Sequence, residues 1–142
     1  MFSKKEGSTV CIKMVVDRIE IDPRSMCQLL FEAENYKEWF PFTRESRVIA
    51  SCTPTSKIVF AKMWLPPPLS NRYLNMWACG VNRLFTPKKS VLVVLQSIDK
   101  EGEQYFLDTP LCHPKNVRMA AHIFGFEVTI LSRTEISIKA VV

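Results

Sequence analysis

The sequence has no apolar run approaching the roughly 18–20 residues that a membrane-spanning helix needs, so no such helix is expected. It has no signal-peptide h-region either. Met1-Phe2-Ser3-Lys4-Lys5-Glu6-Gly7-Ser8 is polar and charged, and residues 1–9 read as a polar tail. No CxxC pair occurs. The five cysteines, Cys11, Cys27, Cys52, Cys79 and Cys112, are odd in number and far apart. That argues against a disulfide framework and for a reducing, cytoplasmic compartment. Cys112, His113 and His122 are too loosely spaced to make a metal site, and no cofactor is called for. Zinc-finger spacing, RNP-like segments and basic helices are absent. The net charge of +5 is scattered, with Lys88-Lys89 the densest later pair, so it reads as a solvated surface and not as a nucleic-acid footprint.

What is present suits one domain with one core. The chain has 142 residues, 47% apolar and 23% charged, and the domain is expected over 10–142. Residues 10–21 are β-branched and apolar. Ile12, Met14 and Val16 alternate on one face, then the phase shifts to Ile19 and Ile21, which predicts a bulge. Asp22 is a natural N-cap and Pro23 suits the first helical position. Met26, Leu29, Leu30 and Ala33 follow at helical spacing, so a helix is expected over 23–34, with a short second one over Tyr36–Phe40 that ends before Pro41.

After Pro41 only strands are expected, near 44–52, 56–65, 72–83, 90–99, 116–124, 126–131 and 134–142, the fifth and sixth being either separate or one long strand bent at Gly125. Turn signals separate them: Thr53-Pro54-Thr55, Pro66-Pro67-Pro68, Thr86-Pro87, Glu101-Gly102 and Pro110 to Pro114. The predicted class is α+β, an antiparallel sheet with one or two short helices near the N-terminus.

Four segments carry a resemblance. They are Tyr36-Lys37-Glu38-Trp39-Phe40-Pro41-Phe42, Leu65-Pro66-Pro67-Pro68-Leu69-Ser70-Asn71-Arg72, Val91 to Asp99 ending Gln96-Ser97-Ile98-Asp99, and Val117-Arg118-Met119 with Gly125-Phe126. In order and spacing over 10–142 they resemble the START (StAR-related lipid transfer) family. The chain departs from the family at Tyr73, where an aspartate usually follows the loop arginine. The resemblance implies a curved helix-grip sheet in which the 10–21 strand pairs with the 134–142 strand. It also implies that both ends of the complete fold are lacking, including the C-terminal lid helix. On that reading Leu74, Met76, Leu92, Val94, Ile136 and Ile138 line an open groove, and the 10–21 strand is an unpaired edge. A partner segment or self-association then replaces the lid.

The resemblance places one alternating set inward as a lipid lining. On one strand it is Val59, Ala61 and Met63, on the next Leu74, Met76 and Ala78, and on the third Leu92, Val94 and Gln96, with Gln96 orienting a polar head. Burying apolar carbon is worth about 0.8 kcal/mol per methylene, which is what would hold such a ligand. The loop with Trp64, Leu65 and Leu69, flanked by Lys62 and Arg72, is too apolar for an ordinary turn. The resemblance makes it a membrane-facing gate; the bare alternative is Trp64 folded into the core. Trp39 and Trp77 read as packing residues, and Arg83 and Arg118 as paired or solvent-facing. Three functions stay open: a lipid-binding or transfer module, a non-binding remnant or protein-interaction module, and a cyclase-like enzyme. The third would need an acid or base in the cavity, and the proposed lining has none.

Overall fold

The computed structural model describes residues 2–6, 9–99, 102–103 and 117–141. The Pro110–Pro114 turn, Cys112 and His113 lie outside those residues. The chain begins with β1 (Phe2–Glu6), antiparallel to β2 (Thr9–Glu20), with Glu6 opposite Thr9. This corrects two expectations, the polar tail over 1–9 and the unpaired edge on the next strand. A ladder is made by backbone groups, and lysine-rich sequence is what edge strands commonly carry. The expected phase change in β2 is a register slip between Val16 and Ile19.

Asp22 starts α1 (Pro23–Phe31). Its Oδ2 accepts the Ser25 N–H at 2.9 Å and the Ser25 hydroxyl at 3.0 Å, and these bonds hold its carboxyl below the ordinary range. The helix is shorter than expected. It gives way to a 3-10 turn over Ala33–Asn35 and then α2 (Tyr36–Trp39), which stops at the extended Phe40 before Pro41. The tighter turn lets Ser46 bridge the two, donating to the Glu34 carbonyl at 3.0 Å and accepting from the Lys37 N–H at 3.1 Å.

The remaining strands are β3 (Thr43–Thr53), β4 (Ser56–Met63), β5 (Arg72–Arg83), β6 (Ser90–Ser97), β7 (Val117–Arg118), β8 (Phe124–Ile130) and β9 (Glu135–Val141). The 116–124 strand is thus cut to two residues, which run parallel to β5 with Arg72 opposite Val117. Beyond it the chain ties irregularly to its neighbours: the Met119 N–H donates to the Tyr73 carbonyl and the Ser97 N–H to the Ala121 carbonyl. Gly125 is no bend. It lies inside β8, opposite Val94 and Val141.

The chain divides into two compact units, Met1–Phe31 with Cys79–Leu95 and Ile123–Val142, and Glu32–Ala78 with Gln96–His122; β5 and β6 contribute to both. In the first the strand order is β1-β2-β9-β8-β6-β5, so β2 pairs β9 as expected. In the second it is β5-β4-β3. The first unit buries Leu30, Val93, Leu95, Val128, Ile136 and Ala140. The second buries β4 on both faces, through Ile58, Val59, Phe60 and Ala61.

Candidate functional site

In the first unit, strand alternation separates an apolar side from a mixed one. Met14, Val16 and Ile19 stand opposite Ala140, Ile138 and Ile136. Phe126, Val128 and Ile130 stand opposite the same β9 residues from the other flank. Val91, Val93 and Leu95 continue the row opposite Val128, Phe126 and Phe124. Paired residues point to one side of a sheet, so all of these share it. Part of this side is closed: Val93, Leu95, Val128 and Ile136 are buried, and the Phe31 ring of α1 sits on Gly80 of β5. Part is open. Met14 is 42% and Val16 47% exposed, and Ile138, Phe124 and Phe126 are half-buried.

The opposite side of these strands is mixed, with Val15, Leu92 and Val94 beside Glu127 and Lys139. Glu127, opposite Leu92 and Lys139, accepts from the Ser90 hydroxyl at 3.2 Å and lies 3.5 Å from the Arg83 guanidinium. Leu92 and Val94 belong to this side. Gln96 belongs with them by alternation. The Ile98 N–H donates to the Asn75 carbonyl, which sets Gln96 beside Trp77 and away from Leu74, Met76 and Ala78. The residues of β6 that share the apolar side are Val91, Val93 and Leu95, which sequence reasoning missed.

The β4 and β5 members lie in the second unit. Val59, Ala61, Leu74 and Met76 are buried there, and Met63 and Ala78 are half-buried. Ser46, which anchors the 3-10 turn and α2, stands opposite Ala61, so these elements pack on the same side as Ala61. The expected open groove is closed at Leu74, Met76 and Ile136, all buried.

The loop after β4 is fixed at its start. The Trp64 N–H donates to the Phe42 carbonyl at 2.8 Å, and Leu65 N–H reaches Asn71 Oδ1 at 3.4 Å. Trp64 is not core: it is 38% exposed, with the Arg44 guanidinium 5.0 Å from its ring centroid. Leu69, in the same loop, and Phe42, whose carbonyl accepts from Trp64, are exposed, while Leu65, Lys62 and Arg72 are half-buried.

Gln96 lines a shallow depression of about 360 Å³ with Cys52, Ile58, Trp77, Ser97, Ile98 and Asp99. Trp77, expected to pack, is exposed here, and its Nε1–H donates to Ser56 Oγ at 2.7 Å. Arg118 is paired as expected, 2.7 Å from Glu103 and donating to the Ile98 carbonyl. Burial, with a smaller push from Glu34, raises the Tyr36 phenol to about 12. Among the described residues no group of three or more His, Cys, Asp or Glu is placed to hold a metal, and Cys11, Cys27, Cys52 and Cys79 are free thiols. Among them, no helix is long and apolar enough to cross a membrane.

No family model matches the chain, and no curated protein matches it in sequence. Solved structures do. Human STARD10 superposes with a TM-score of 0.79 at 15% identity, over 94% of this chain and 50% of its own. The human StarD13 (DLC2) lipid transfer and protein localization domain gives 0.76 at 15% identity, over 98% of this chain and 66% of its own. The Zhui aromatase/cyclase from Streptomyces sp. R1128 is more distant, at 0.55 and 7% identity. The chain thus spans about half the length of the STARD10 chain it matches. It carries the START fold, the antiparallel helix-grip sheet of StAR-related lipid transfer domains.

Proposed function

We propose that the chain is a lipid-binding module, with lipid transfer as its activity, in the cytoplasm and peripherally at membranes. The observation that carries this reading is the apolar side that runs across β2, β9, β8 and β6 of the first unit, open at Met14 and Val16, on a fold shared with lipid transfer domains. On β6, β8 and β9, with Met14, Val16 and Ile19 of β2, this side is built of Met, Val, Ile, Ala, Phe and Leu, which suits a hydrocarbon chain and places no acid or base among them. Displacing water from such a surface favours a ligand by about 25 cal/mol per Å² of apolar area.

The Trp64 loop is the membrane-facing gate in this proposal. A half-exposed indole under an arginine, with Leu69 exposed in the same loop and Phe42 exposed where its carbonyl accepts from the Trp64 N–H, matches the chemistry of a membrane–water interface. The half-open side also accepts a partner segment or a second copy in place of lipid. Native mass spectrometry of the purified chain is the test. A monomer carrying a co-purified lipid mass is the expected result. A chain that is empty after exposure to mixed phospholipid vesicles would favour the remnant or interaction-module reading and overturn this one.

A further inference from the structure

We propose that the turns β5–β6 and β8–β9 form a docking tip for an anionic lipid surface, with Phe85 as the inserting side chain. This rests neither on the ligand nor on the Trp64 loop. Phe85 is 98% exposed at the end of a β-hairpin, where a turn normally carries polar residues. Leu131, in the second turn, is 48% exposed. Lys88, Lys89 and Arg133 are exposed beside them in the two turns. The turns are neighbours because Ser90 pairs with Thr129, and the Ile130 N–H donates to the Lys89 carbonyl at 3.0 Å.

The tip is also held in shape. The Arg83 carbonyl accepts from the Thr86 N–H at 3.1 Å and from the Thr86 hydroxyl at 2.7 Å, and the Lys89 N–H donates to the Thr86 carbonyl at 3.0 Å. Phe85 is thus presented outward by a hydrogen-bonded turn. Residues 84–90 and 131–134 contain no carboxylate. The carboxylates of the strands that carry these turns are engaged, Glu127 by Arg83 at 3.5 Å and Glu135 by Arg18 at 3.4 Å. Among the described residues no ion pair neutralises Lys88, Lys89 or Arg133.

Two apolar side chains amid three cations cannot supply the roughly 1,000 Å² that a stable protein interface buries. The same arrangement suits a bilayer surface. An aromatic ring enters the head-group layer while the cations meet anionic phosphates and carboxylates.

The experiment is vesicle flotation of the full chain with phosphatidylcholine alone and with equimolar phosphatidylcholine and phosphatidylserine. Binding is expected only to the anionic vesicles. The double substitution Lys88→Ser, Lys89→Ser should weaken it about thirtyfold. Phe85→Ser should weaken it about fivefold, and both variants should keep the wild-type melting temperature. A Trp64→Ala chain should keep the dependence on Phe85 and on the lysines, which separates this tip from the gate loop. Wild-type failure to bind anionic vesicles, or unchanged binding by either variant, would overturn the proposal. So would loss of polyglutamate binding by the lysine variant together with indifference to Phe85→Ser, since the tip would then be a polyanion contact. Failure to find a co-purified lipid would leave it standing.

Discussion

The Phe31 ring lies directly against Gly80, so that a Cβ at that position would overlap the Cε1 and Cζ atoms of the ring. Gly80 therefore sets how closely the end of α1 approaches β5. Gly80→Ala forces the ring outward, and overpacking of this kind costs about 1–3 kcal/mol. Chemical denaturation should show that loss. Combined with Phe31→Ala, the glycine substitution should become nearly neutral, because the overlapping ring is gone.

Met14 and Val16 share the apolar side, while Val15 between them points the other way, opposite Lys139. Val16→Lys should reduce the lipid retained by the purified chain, and Val15→Ser should leave it unchanged. Both residues are exposed, so neither substitution should move stability by more than about 0.5–1 kcal/mol. Equal lipid retention in the two variants would remove this side as the ligand surface.

Trp64→Ala should weaken association with anionic liposomes while costing no more than about 1 kcal/mol of stability, since the ring is half-exposed. A loss of several kcal/mol, as for core aromatics, would mark it as structural instead.

The phenol of Tyr36 should titrate above the ordinary tyrosine value. Its pKa in the folded chain is raised from 10.0 to about 12, so the neutral form is the one the fold favours. The associated stability is fully present below pH 10 and is lost as pH rises from 10 towards 12. Ultraviolet difference titration should show a late tyrosinate step in the folded protein. That step should be absent in Tyr36→Phe, and high-pH unfolding should shift with it.

Much of the sheet was legible because several strands alternate cleanly. Phe124, Phe126, Val128 and Ile130 against Gly125, Glu127 and Thr129 states both the strand and its inward side, and Ile136, Ile138 and Ala140 repeat it. Strand β5 was bounded by Arg72 and Arg83, as read. The buried side of β6 was not legible, because Val91-Leu92-Val93-Val94-Leu95 is apolar throughout and carries no phase. The one polar residue at its end, Gln96, is exposed. Strand β1 was invisible for the reverse reason, since its pairing is backbone work done under polar residue types. The 3-10 turn followed from Ser46, a contact across 12 residues that no local periodicity reports.

Strand β4 has one further consequence. Ile58, Val59, Phe60 and Ala61 are buried in succession, so both faces of its ladder are shielded from water. Backbone amides so enclosed exchange with solvent deuterium only when the surrounding structure opens cooperatively. The amides of Val59 and Phe60 should therefore be the slow clock of the second unit, reporting its full opening free energy. Those at Met14 to Val16 should tick fast, through local breathing alone. Following both sets as lipid is added would show how far ligand binding slows each motion.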